Sequence, residues 1–146
     1  MNARASSRLY SPEVLSLATG LAAFPLADDL PLRAEARSRS CGSVIALGLA
    51  LDGEGRVARI GLKVSACAIG QASAAVLAQG APEARPEDLR RTLDALDAWL
   101  TGEGALPSWP GIAALAAAHG HPGRHGALLL PWKAAVAALS SRADAR

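Results

Sequence analysis

Residues 45–64 read IALGLALDGEGRVARIGLKV. Ile45, Leu47, Leu49 and Leu51 recur at period two, and Ile60, Leu62 and Val64 resume the alternation. Arg59 and Lys63 fall on the opposite phase. Asp52-Gly53-Glu54-Gly55 between the two runs supplies a turn that tolerates positive φ. The reading is an antiparallel hairpin with one buried and one wet face. Its two ends meet in space, and a cysteine lies just beyond each. Cys41 sits in Arg39-Ser40-Cys41-Gly42-Ser43, and Cys67 follows Ser65-Ala66. The chain has no other thiol.

Outward from the hairpin the elements follow in order. On the N-terminal side, Leu32-Arg33-Ala34-Glu35-Ala36-Arg37 alternates and reads as a third strand at a sheet edge. Ser11-Pro12-Glu13 is a helix start: a capping hydroxyl, proline at the first helical position and an acid in the first turn. A helix is expected over about 12–23, with Val14, Leu17, Ala18 and Leu21 on one face. Arg4 and Arg8 before this apolar stretch give it the look of a secretory leader, but the start signals favour the helix. On the C-terminal side the period changes at Cys67. A helix is expected from Ala68 to Gln79, ending at Gly80 with Pro82 beyond. Its first half is small (Gly70, Ala72, Ser73, Ala74, Ala75), which permits close approach to a neighbour.

A second helix starts at Pro86-Glu87-Asp88, carries Leu89, Leu93, Leu96 and Leu100 as its stripe and stops at Gly102. Arg90 with Asp94 is expected to form a helical ion pair on its wet face. A loop with Trp109-Pro110, a short alanine-rich helix (112–118) and a tight loop holding His119, His121 and His125 come next. A last helix is expected to run to about Ser141. Trp99, Trp109 and Trp132 read as core or loop anchors. The order of elements implies an α+β fold, a three-stranded antiparallel sheet with helices packed mainly on one face. At 146 residues the chain reads as a single domain, residues 1–146, with frayed ends at 1–10 and 142–146.

Composition excludes several function classes. Formal net charge is +2, the 13 Arg and 2 Lys are scattered, and aromatic residues make up 3%, so neither a basic stripe nor a stacking platform for nucleic acid is present. No apolar run reaches the about 18 residues of a spanning helix. Two cysteines do not make a disulfide framework, and a reducing cytoplasm is the expected location. No P-loop, dinucleotide fingerprint or His-Glu-x-x-His stands out, so no enzyme class is assigned. The chemistry rests on the thiols. Cys67 opens a helix, where unpaired N–H groups favour a thiolate, the form that binds soft metals and attacks sulfur.

The two cysteine segments together resemble those of the U-type iron–sulfur cluster assembly scaffold family (NifU, IscU and SufU proteins). In that family a C-G-D sequence opens the hairpin and a second cysteine begins a helix reading roughly C-A-I-S-x-A-S-A-S. Cys41-Gly42-Ser43 and Cys67-Ala68-Ile69-Gly70-Gln71-Ala72-Ser73-Ala74 match in order and spacing. The likeness covers about residues 10–140. It implies a scaffold or carrier, not a turnover enzyme, that receives sulfur from a cysteine desulfurase, holds iron or a labile [2Fe–2S] cluster, and passes it to recipient apoproteins.

The family's ligands are three cysteines and the aspartate of C-G-D. Here Ser43 stands at the aspartate position, and Arg124-His125-Gly126 occupies the place of the third cysteine, with Gly126 opposite it. The resemblance therefore implies Cys41 and Cys67 as metal ligands or sulfur acceptors, His125 as a candidate third ligand and Ser43 as a weak fourth. Pooling of thiols in a homodimer would complete a four-ligand set. Two other readings stay open: a zinc-binding sulfur-transfer partner of a desulfurase, and a metal-free member that binds a partner.

Overall fold

The computed structural model describes residues 9–39 and 42–144. Three strands, β1 (Leu32–Arg37), β2 (Val44–Leu51) and β3 (Val57–Ser65), form an antiparallel meander in the order β1-β2-β3. Ile45 pairs with Val64, Leu47 with Leu62 and Leu49 with Ile60. Ile45, Leu47 and Leu49 are fully buried on one face, as the alternation requires. The register shifts between Ala50 and Leu51, after which Leu51 pairs with Val57. The connecting turn is held by Asp52, whose Oδ1 accepts the N–H groups of Glu54 (2.9 Å) and Arg56 (3.0 Å). Gly55 takes φ +81°, the conformation for which glycine stands there.

Four α-helices with bounds wholly inside the described residues accompany the sheet: α1 (Pro12–Gly20), α2 (Ala68–Gly80), α3 (Pro86–Leu100) and α4 (His125–Asp144). Ser11 Oγ accepts the Val14 N–H at 3.2 Å, so the predicted cap is the observed one. Helix α4 lies on β1 and β2, α2 packs on α4 and β3, α1 covers α2, and α3 packs on α4. Leu77, Leu89, Leu96, Leu115, Leu128 and Trp132 fill the space between them and are fully buried. Leu9 is buried in the same core, so the chain joins it before the frayed boundary expected at residue 10.

The second face of the sheet is not left wet throughout. The segment from α1 to β1 crosses it. Phe24 O accepts the Leu62 N–H at 2.9 Å, and Pro25 bridges Leu62 in parallel at the outer edge of β3. The chain then passes over Gly61 and Gly48, which face each other across β3 and β2. A Cβ on Gly48 would stand 2.8 Å from that of Leu30, and one on Gly61 would run into the Pro25 carbonyl. Two glycines at one cross-strand position let this strap lie flat on the sheet. Arg59 clamps it through a two-point contact with Asp29 (2.8 and 2.9 Å), and Arg33 Nη1 donates to the Ala27, Asp28 and Leu30 carbonyls.

Other expectations need correction. The predicted Arg90–Asp94 ion pair does not form; in α3 Arg91 instead approaches Asp88 at 3.7 Å. An arginine preceding its acid at i,i+4 is the less favourable order on a helix. Gly80 lies within α2, not beyond it, and its missing side chain leaves the room in which the Trp109 indole packs. The alanine-rich segment is a 3-10 helix (Ile112–Gly120) that includes His119. A second 3-10 turn (Pro122–Arg124) leads directly into α4, whose first residue is His125. The histidine loop is therefore mostly helical, and α4 continues past Ser141 to Asp144.

Candidate functional site

Strand β3 delivers its end beside the start of β2, since Ser65 pairs with Val44. Two residues later the chain turns into α2. Cys67 is the N-cap, with extended backbone (φ −65°, ψ 171°), and its carbonyl accepts the first helical bond from Gln71 N at 3.0 Å. Gln71 also folds back: its Nε2 donates to the Ala66 carbonyl at 2.9 Å. The turn before the helix is thereby fixed from both sides. The Cys67 thiol is free, half-buried and not used as a cap.

This thiol opens on a surface cavity of about 300 Å³ lined by Gly42, Ser43, Ser65, Ala66, Cys67 and Arg124. Cys41 lies outside the described residues. The two residues that follow it, Gly42 and Ser43, share the cavity with Cys67, and Ser43 is itself buried. Ser38 N donates to Ser43 O (2.9 Å) and Gly42 N to Ser38 O (3.1 Å), which closes the β1–β2 turn. Gly42 takes φ +71° there.

Arg124, from the turn before α4, supplies the far wall. His125 Nε2 donates to the carbonyls of Ala118 (3.1 Å) and His119 (2.9 Å), so this nitrogen ties the 3-10 helix to the start of α4. In the neutral ring that makes these bonds the lone pair is on Nδ1. The His119 ring sits 6.3 Å from that of His125 and 5.2 Å from Trp99. His121 lines a neighbouring cavity of about 470 Å³ with Leu9, Tyr10 and Arg124. Ala127 of α4 lies against Gly70 in the first turn of α2. Among the described residues, no three His, Cys, Asp or Glu side chains gather closely enough to hold a metal ion. The described part of the site brings Cys67 and Ser43 to one cavity, with His125 one residue from its Arg124 wall.

Arg124 is the lining residue that sequence reasoning passed over. It stands immediately before His125 in the segment matched to the third cysteine, and that adjacency was the available signal.

The floor under Cys67 is rigid. Ser73 Oγ donates to the Leu128 carbonyl at 2.6 Å and accepts from Trp132 Nε1 at 3.0 Å. Trp132 meets Trp109 edge-on at 4.9 Å, and Trp109 Nε1 donates to the Val76 carbonyl at 2.9 Å. Helix α2 is thus bonded to α4 and to the loop before the 3-10 helix. Pro131, inside α4, removes the N–H that would have bonded the Ala127 carbonyl, and that carbonyl lies against Gly70 of α2.

No family model and no curated protein matches the sequence. The solved structures do. A nitrogen-fixing NifU-like protein (N-terminal) from Brucella abortus superposes with a TM-score of 0.87 at 25% identity, over 97% of this chain and 99% of that one. A protein assigned as an iron–sulfur cluster assembly scaffold for the SUF system of thermophilic Fervidobacterium islandicum AW-1 has a TM-score of 0.80 at 20% identity, over 89% of this chain and 96% of that one. The resemblance read from the two cysteine segments is a resemblance of the whole fold: a three-stranded antiparallel sheet with helices packed against it, as in these two proteins. Among the described residues no helix is long and apolar enough to cross a membrane.

Proposed function

We propose, from that shared fold, that the chain is a scaffold or carrier in iron–sulfur cluster assembly. It receives sulfur from a cysteine desulfurase in the cytoplasm, holds iron or a labile [2Fe–2S] cluster as cargo through Cys41 and Cys67, and passes the cargo to recipient apoproteins. One observation carries the reading. A likeness that spans 97% of the chain coincides with a half-buried thiol at the start of α2, in a cavity shared with the Gly42-Ser43 end of the other cysteine segment. Thiolates suit iron, and a [2Fe–2S] unit takes about four ligands. Two thiols per chain fall short of that number. Two protomers pooling Cys41 and Cys67 reach it, as does one chain aided by His125 through Nδ1 and by Ser43.

Anaerobic reconstitution with iron and sulfide, followed by size-exclusion chromatography, absorbance and metal analysis, tests this. The expected result is a [2Fe–2S] spectrum on a dimer, lost in Cys41→Ser and in Cys67→Ser. Failure of the unmodified protein to hold any cluster overturns the scaffold reading. A monomer that carries the full cluster refutes pooling, and its loss in His125→Ala would make His125 the third ligand.

A second reading is favoured by the charge of the cavity. Its described lining holds a guanidinium and no carboxylate, with Ser43 where the family has aspartate. A sulfur acceptor needs a reachable thiolate more than a full ligand set. In this reading Cys67 or Cys41 accepts a persulfide sulfur, with zinc bound until transfer. Colourless protein with about one equivalent of zinc would select it. Protein with neither iron nor zinc, yet binding a desulfurase, would select a partner-binding module.

A further inference from the structure

Arg124 is the one charged side chain among the described residues lining the Cys67 cavity. It also lines the neighbouring cavity with Tyr10 and His121, so it stands at the seam between the two. Its backbone is held on both sides. Arg124 N donates to the His121 carbonyl at 2.8 Å, and the next residue is tied through His125 Nε2 to the Ala118 and His119 carbonyls. Its guanidinium, in contrast, has no hydrogen bond or ion pair among the described residues. A fixed base and a cation with no counter-charge among the described residues, on the same cavity as a thiol, make a local positive field, and such a field concentrates anions.

We propose that Arg124 is a specificity-determining residue for sulfur delivery: it draws anionic persulfide carriers to Cys67 and retains the persulfide formed there. This rests on the sulfur-acceptor reading of Cys67. The Cys67 thiolate attacks the outer sulfur of a donor R–S–S–H. One S–S bond forms as the donor's S–S bond breaks, and the electron pair leaves on the donor as R–S⁻. The proton stays on the transferred sulfur until it is released to water, which leaves Cys67–S–S⁻ beside the guanidinium. No outside oxidant or reductant is needed. The positive charge offsets the repulsion between an approaching anionic donor and the thiolate, and then stabilises the anionic product.

The test uses the full chain carrying Cys41→Ser, so that Cys67 is the sole thiol. Its rate of reaction is measured with an anionic disulfide, 5,5′-dithiobis(2-nitrobenzoate), and with a neutral one, 4,4′-dithiodipyridine. The ratio of the two rates cancels differences in thiol exposure or folding. The ratio should fall about tenfold in Arg124→Gln, fall further in Arg124→Glu, recover in Arg124→Lys, and shrink at high salt. Loading with glutathione persulfide, read as one added sulfur by intact mass, should slow in the same order. A ratio that stays within about twofold in Arg124→Gln overturns the proposal. Loading that is indifferent to Arg124 overturns it and leaves the acceptor reading standing. Charge selectivity without any loading overturns both.

Discussion

Removal of the Ser73 hydroxyl would strand two buried polar groups at once, the Trp132 indole N–H and the Leu128 carbonyl. Ser73→Ala should therefore cost about 1–3 kcal/mol, more than its small change in volume suggests, measured by denaturant unfolding. Ser73→Thr keeps the hydroxyl but adds a methyl to a fully buried position, so it tests packing separately. Neither role was legible from sequence. The hydroxyl's partners lie 55 and 59 positions away, and only the folded α2–α4 contact brings them together. Cys67 was legible, because the change of period from two to helical falls on it and marks the helix start. Arg124 was not, because its importance depends on a 3-10 turn meeting the β3–α2 junction. Since Cys67 faces a surface cavity and makes no capping bond, Cys67→Ser should shift unfolding by less than about 1 kcal/mol while abolishing cluster or sulfur binding.

At the scale of elements, two exposed carboxylates organise the sheet's connections, and both should answer to acid. The Arg59 guanidinium bonded to Asp29 holds that carboxyl below the ordinary carboxylate value. The N–H groups of Arg56 and Glu54 do the same for Asp52 in the β2–β3 turn. Folding depresses both groups, so what they contribute is present above the unfolded value of 3.8 and is lost as pH falls through the lowered values. NMR titration should show Arg59→Ala moving Asp29 back up while Asp52 stays in place. The hairpin, α1 and α3 were readable because alternation, caps and a leucine stripe are local signals. The 3-10 run from Ile112 to Arg124 was only half readable. Glycine, proline and histidine there signal a loop, yet 3-10 turns accept them, and the His125 clamp onto two carbonyls steadies them. The strap was invisible for a different reason. Gly48 and Gly61 read as weak points in strands, and their purpose appears only when the crossing chain is laid over them.

Over the whole molecule, Gly61→Ala should be far more damaging than an alanine on the same face of β3 would otherwise be. The new methyl meets the Pro25 carbonyl, and about 1–3 kcal/mol of overpacking should follow, with the strap displaced and the core beneath the opposite face unchanged. The same crossing has a consequence for the order of assembly. Residues 24–30 have nothing to rest on until β2 and β3 are paired, because their seat is the Gly48–Gly61 position itself. On a ribosome this segment emerges before its seat has been synthesised. It must wait for about thirty further residues of chain, with Leu26 and Leu30 exposed meanwhile, and long-range closures of this kind are slow relative to hairpin formation. A segment made before its seat is thus a late part to be placed. Pulse-labelled hydrogen exchange during refolding should find the Leu62 amide, bonded to Phe24, gaining protection later than amides of the β2–β3 ladder.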